Sequence, residues 1–171
     1  MSEAILSKEL VASLLSRTPI NRVRLCSFMI KVCVGGTFDI LHTGHHHLLQ
    51  KALDSGDHLT IGLTTDEYAN QKRNRVVNSF QIRRKNLEIW LEKHISLENI
   101  NIVPLSEEWG PPALSSSFHI IVVTPDSESI AIKLNQHRKD LDMPELKIIV
   151  VPLVLDSDGI PISSTRLHFK G

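Results

Sequence analysis

The stretch V-C-V-G-G-T-F-D-I-L-H-T-G-H, Val32 to His45, constrains this chain more than any other part of it. It opens as a short apolar strand, Met29 to Val34, and reads as turning through Gly35 and Gly36 into a helix start that presents Thr37, Asp39, His42 and His45. Adjacent glycines let backbone N–H groups approach a ligand with no Cβ in the way. A helix N-terminus carries unpaired donors and partial positive charge, which favours phosphate. His42 and His45 are three residues apart, so a helix that has begun by His42 turns both imidazoles to one ligand. The segment describes a phosphate-handling site with two imidazoles and no obvious nucleophile. His46 and His47 extend the run of histidines, but successive helical residues point in different directions. A metal held by the run is therefore not expected, and His46 is read as solvated.

Strands and helices alternate after this segment, which predicts an α/β fold: a single Rossmann-like parallel five-stranded sheet with helices on both faces. The further strands are expected at His58–Thr64, Asn101–Leu105, Phe118–Thr124 and Leu146–Leu155. Helices are expected from about Gly44 to Ser55, from Ser79 (read as the N-cap) to His94, and from Ser127 to Leu141. Asp158-Gly159 reads as a turn before a last helix that begins in Ser163–Arg166. Residues 29–171 form the predicted domain. In residues 1–28, Ala4, Ile5, Leu10, Val11, Leu14 and Leu15 are helix-compatible, and Pro19 stops the pattern. This arm is read as an accessory helix covering the sheet, with a partner-binding or partly mobile arm as the alternative.

A second constellation is I-S-S-T-R, Ile162 to Arg166. Ser and Thr at a helix start cap it and also donate to an anion, and Arg adds a charge-assisted fork suited to phosphate oxygens. Alone, it reads as an ordinary cap. Beside the glycine–histidine segment, it makes a second phosphate-binding helix start at the ligand edge of one parallel sheet. A third cluster, Lys72, Arg73 and Arg75, follows the second strand on that same edge, and Arg83, Arg84 and Lys85 continue it on the next helix. Lys72 or Arg73 is placed to close over a triphosphate, and spacing does not choose between them. About half of these charges are read as solvated.

Lys plus Arg and Asp plus Glu both number 19, giving a net charge of zero. No global field argues for nucleic acid or an anionic membrane. No apolar run approaches a membrane span. Glu3, Lys8 and Glu9 interrupt any secretory pattern. Cys26 and Cys33 read as reduced thiols, so the cytoplasm is the expected compartment.

The string G-G-T-F-D-x-L-H-x-G-H resembles the signature of the HxGH nucleotidyltransferase superfamily. Lys31 to Leu167 further resembles the archaeal and eukaryotic branch of phosphopantetheine adenylyltransferase. The segments I-G-L-T-T-D-E, V-N-S-F-Q-I-R, W-G-P-P, V-V-T-P-D-S…A-I-K-L-N-Q-H-R and D-G-I-P-I-S-S-T-R carry that resemblance. Members of the branch usually read V-V-S-x-E-T and then an aromatic residue; here Thr124, Asp126 and Glu128 stand instead. The resemblance implies adenylyl transfer from ATP to 4′-phosphopantetheine, with Mg²⁺ arriving with ATP. It implies His45, His42 and Lys72 as catalytic. It implies an ATP site of Gly35, Gly36, Thr37, Phe38, His42, His45, Ser163, Ser164, Thr165 and Arg166. For the acceptor it implies Thr37, Asp39 and Lys72.

Trp109 follows the third strand and is read either as a wall of the acceptor groove or as a cover on the core. The alternatives to the implied reaction are another nucleotidyltransferase of the superfamily (acting on flavin mononucleotide, glycerol phosphate or phosphocholine) and a non-catalytic nucleotide- or coenzyme-A-binding regulator. A monomer and a small homo-oligomer are both left open.

Overall fold

The computed structural model describes residues 29–71, 76–94 and 97–164. The arm 1–28, Lys72, Arg73, Arg75, Thr165 and Arg166 lie outside the described residues.

Among the described residues five strands, β1 (Lys31–Gly36), β2 (His58–Thr64), β3 (Ile100–Leu105), β4 (Ile120–Val123) and β5 (Lys147–Val150), form one sheet in the order β3-β2-β1-β4-β5. Every neighbouring pair is parallel. The helices are α1 (Thr43–Leu53), α2 (Asp66–Gln71), α3 (Phe80–Glu92) and α4 (Pro125–Asp140), with short 3-10 turns at Leu97–Asn99 and Pro111–Ala113. The chain winds outward from β1 to β3, then crosses back to β4 on the other side of β1. The switch point therefore lies between β1 and β4, where parallel sheets open a crevice beyond their carboxyl ends.

Alternation along the strands divides the core into two layers. Val32 and Val34 of β1 and Leu59, Ile61 and Leu63 of β2 meet Leu48, Leu49 and Ala52 of α1 and Leu87 and Leu91 of α3. On the opposite face Cys33 packs with Ala113, Phe118, Leu134 of α4 and Leu146, with Trp109 and Ile121 against them. The apolar residues of α1 and α3 fall at helical spacing, so each helix buries one stripe. Among the described residues no helix is long and apolar enough to cross a membrane.

The strands differ from their sequence-derived ends in instructive ways. Gly35 and Gly36 do not turn the chain. They stay in the ladder opposite Gly62 and Leu63, because β2 runs on to Thr64 and its backbone groups need partners. The turn comes at Phe38, whose φ is 47°. Strand β5 stops at Val150, and Pro152 has no N–H to continue it. Beyond it, Leu155 bridges Pro161 antiparallel, and Ile162 N–H donates to Val154 C=O at 2.9 Å, so Ile162–Ser164 return toward the sheet edge. Helix α2 was not expected. Thr65 starts it by accepting from Tyr68 N–H at 3.3 Å, and Asp66 and Glu67 suit its first turn.

Candidate active site

The β1–α1 connection is built by one close approach and one unusual turn. A Cβ on residue 36 would lie 2.9 Å from the Phe38 ring, so Gly36 makes the room into which Phe38 folds back. Phe38 is then buried in the core at a positive φ, a costly conformation for a bulky residue. Its ring supports His45, with centroids 5.1 Å apart. Anything Phe38 offers a nucleotide comes from its backbone.

His42 occupies the N-cap position of α1 in extended conformation and makes no side-chain cap bond. His45 follows in the first turn. The two imidazoles stack with centroids 3.9 Å apart and planes 26° apart, although the helix begins only at Thr43, after His42. Gly44 lies beneath: a Cβ there would stand 3.1 Å from Cε1 and Nδ1 of His42. Nδ1 of His42 is buried with no hydrogen-bond partner among the described residues. Burial, and secondarily the neighbouring His46, hold the His42 pKa below the ordinary imidazole value. His42 thus favours the neutral imidazole near pH 7, with its Nδ1 unpaired among the described residues.

His42 and His45 line a cleft of ≈ 290 Å³ at the switch point. Thr124, Asp126 and Ser127 at the start of α4 form the facing wall, and Val151–Val154 with Ile162–Ser164 close the third side. Ser163 is exposed there, while Ser164 is buried and donates its hydroxyl to Ile40 C=O at 3.0 Å. The sequence reading gave Thr124, Asp126 and Ser127 no role in the site. Their signal was topological, since residues just after β4 must border a crevice between β1 and β4. Glu128, standing where an aromatic is usual, is exposed in the first turn of α4, where a carboxylate suits the helix dipole.

Gly35, Thr37 and Asp39 divide differently than the sequence suggested. Gly35 is exposed and Thr37 half-buried at the ligand edge. Asp39 is buried, and its Oδ1 accepts from Asn78 N–H at 2.8 Å and Asn78 Nδ2 at 2.9 Å. Its observed work is to hold the segment before α3. His46 is not solvated. It is half-buried and stacks on Trp90 at 5.2 Å, and Trp90 stacks in turn on His94 at 4.1 Å.

Trp109 borders a small, largely apolar pocket on the other face of the sheet. Gly35, Cys33, Thr60, Gly62, Leu134 and Pro112 are among its walls, with Glu108 as a charged lining residue. The indole stacks on His137 at 4.9 Å, and its Nε1 is buried without a partner among the described residues. Trp109 thus both covers the core and faces a cavity that starts at the glycine strand. Burial pushes the Cys33 thiol up to about 12, so the floor of this pocket is chemically inert. Arg138 fastens the Trp109 side to α4, donating to the carbonyls of Pro112, Ser115 and Pro144.

A parallel sheet with paired imidazoles and a glycine strand at its switch point defines a cytidylyltransferase-like nucleotidyltransferase domain, and a sequence model of the cytidylyltransferase-like family matches residues 33–168. The chain is 39% identical over 151 residues to the phosphopantetheine adenylyltransferase of Methanopyrus kandleri, covering 88% of this chain and 92% of that one. It is 38% identical over 137 residues to the phosphopantetheine adenylyltransferase of Methanothermobacter thermautotrophicus, covering 80% and 82%. The crystal structure of an Archaeoglobus fulgidus protein of unknown function superposes with a TM-score of 0.66 at 32% identity, covering 71% of this chain and 89% of that one. The chain belongs to the phosphopantetheine adenylyltransferase family.

Proposed function

We propose that this chain transfers the adenylyl group of ATP to 4′-phosphopantetheine, giving dephospho-coenzyme A and pyrophosphate. A phosphate oxygen of the acceptor attacks the α-phosphorus. A new P–O–P bond forms, the bond from the α-phosphorus to the bridging oxygen breaks, and pyrophosphate leaves. The nucleophile is already anionic, so the site needs no general base and no activated Ser or Cys. Positioning and charge stabilisation supply the rate.

The single observation that carries this reading is the stacked pair His42–His45 at the mouth of the switch-point cleft, with an unpartnered buried nitrogen on His42. In the proposal His45 stabilises the pentacoordinate α-phosphorus, and His42 with Ser163 holds the ATP phosphates. Arg166, Thr165 and Lys72 complete the phosphate contacts by resemblance to the family. Among the described residues no three metal-ligating side chains converge, and Asp126 lines the cleft. Asp126 would hold a Mg²⁺ ion arriving with ATP, which would supply charge neutralisation at the phosphates.

The acceptor side rests on the Trp109 pocket. It is largely apolar and begins at Gly35, and it holds one buried N–H without an acceptor among the described residues. An amide-bearing aliphatic arm whose phosphate sits at the glycine strand matches both properties. At ≈ 60 Å³ the pocket takes one segment of such an arm.

The test is pyrophosphate release from ATP and from CTP across 4′-phosphopantetheine, flavin mononucleotide, glycerol phosphate and phosphocholine. Fast release is expected only for ATP with phosphopantetheine. Preferential use of CTP or of a smaller acceptor defeats the reading, and no release with any pair favours a binding protein.

A further inference from the structure

The charge run Arg83-Arg84-Lys85 is not uniform. Arg84 pairs with Glu88 at 2.8 Å on the surface, but Arg83 is completely buried. Its guanidinium sits under the ligand edge and joins four separate groups. Nε donates to Asn78 C=O at 2.7 Å, Nη1 to Thr37 C=O at 2.9 Å and to Thr64 Oγ1 at 3.2 Å, and Nη2 to Asp66 Oδ1 at 2.7 Å. These acceptors come from the β1–α1 connection, the end of β2, the start of α2 and the segment before α3. Asn78, held by Arg83 through its carbonyl, in turn holds Asp39 through its N–H and side chain.

Stability alone is a poor account of this arrangement. A buried arginine carries a heavy desolvation cost, and apolar replacements of buried ion pairs are often neutral or stabilising. The partner carboxylate, Asp66, is 44% exposed, so the pair is not a sealed one. What a lysine or an apolar side chain cannot reproduce is the rigid planar fork that fixes several acceptors at once. One of those acceptors is the carbonyl of Thr37, immediately before the positive-φ turn at Phe38.

We propose that Arg83 is a positioning residue for the transfer step: it locks the Thr37–Phe38 turn to the end of β2, so that the acceptor phosphate at Thr37 stays in line with His45. This rests on the adenylyl-transfer reading above. Arg83 touches neither substrate.

The test compares Arg83→Lys, Arg83→Met and Asp66→Asn with the wild type in the full-length chain. Arg83→Lys is expected to lower kcat by about 10- to 100-fold, the scale of an ångström-sized misplacement. ATP affinity by calorimetry should stay within about threefold, because the His42 side of the cleft is untouched, a split that a general loss of structure does not produce. Asp66→Asn removes charge from a half-exposed partner, leaves the four-acceptor network complete and should retain kcat within a few-fold. Arg83→Met is expected to keep ATP binding and lose turnover at least as far as Arg83→Lys. If Arg83→Lys does not fold, Thr64→Val decides, since it removes one acceptor beside Thr37, and a several-fold fall in kcat with unchanged ATP affinity is expected. Wild-type turnover with equal kcat in the folded variants overturns the positioning role alone. A wild type that does not adenylylate phosphopantetheine overturns the parent reading instead.

Discussion

Ser164 reaches across 124 positions of sequence to donate its hydroxyl to Ile40 C=O at 3.0 Å. The bond locks the segment after the Leu155–Pro161 bridge onto the connection that carries His42. Ser164→Ala leaves a partly buried carbonyl without its donor, which costs about 1–3 kcal/mol. A lower melting temperature is expected, together with weaker ATP binding, because Ser163 moves with Ser164. An unchanged melting curve and unchanged ATP affinity would return this bond to incidental status.

Gly44→Ala should separate stability from activity. Alanine is the better helix former by about 1 kcal/mol. The added Cβ, however, would press on His42 at 3.1 Å, and that ring must give way. The variant is expected to melt no lower than the wild type while losing ATP affinity and turnover. Lost stability with normal kinetics would contradict the placement of His42 over the helix start.

His45→Ala tests the transition-state assignment. An interaction made mainly in the transition state lowers kcat and kcat/KM together. By analogy with deleted oxyanion donors the fall should be about 10²–10³-fold, with ATP binding little changed. A near-normal kcat removes His45 from the chemistry.

The sequence exposed the sheet and the imidazole pair because both depend on short-range pattern. Apolar runs placed all five strands, and the spacing of His42 and His45 put both imidazoles at the helix start, although their stacking comes from an extended His42 ahead of the first turn. What it concealed depends on contacts between distant segments. Gly35 and Gly36 look like a turn locally, but the length of β2 keeps them in the ladder. Arg83 looks like one member of a solvated run, and only the convergence of Thr37, Thr64, Asp66 and Asn78 makes a buried place for it. His46 lies on the flank of α1 that meets Trp90 of α3, a pairing that no helical period in α1 encodes. The Thr124–Ser127 wall follows from strand order rather than from composition.

The histidines set a pH dependence whose sign follows from burial. His42 and His46 both have pKa values below the ordinary imidazole value, chiefly because burial disfavours the cation. The folded chain then binds fewer protons than the unfolded chain, so stability rises with pH across this window. The contribution is fully present above the ordinary value of about 6.5 and is lost as pH falls through the lower folded values. Melting temperature should decline below about pH 6.5, and less so in a His46→Gln variant. ATP phosphates favour the cation, so binding near neutral pH should draw a proton onto His42. Calorimetry in buffers of different ionisation enthalpy should show proton uptake that disappears in His42→Asn. Absence of uptake in the wild type argues against phosphate contact at His42.

The Trp109 pocket makes the last and most specific prediction. Trp109 stacks on His137, borders a cavity with Gly35 and Gly62, and leaves Nε1 buried without a partner among the described residues. An amide carbonyl of the pantetheine arm would satisfy that donor and change the polarity around the indole. In a Trp90→Phe background, phosphopantetheine should therefore shift or quench the remaining emission at constant pH, while glycerol phosphate and inorganic phosphate should not. Trp109→Ala should raise KM for phosphopantetheine by about tenfold, equivalent to about 1.4 kcal/mol of lost binding, and leave KM for ATP unchanged. If Trp109 only covers the core around Cys33 and Leu134, the substitution will lower the melting temperature with both KM values preserved. If it holds the arm, the acceptor KM will move alone in variants that remain folded at the assay temperature, and Trp109→Phe, which keeps an aromatic face but no N–H, will fall between the two.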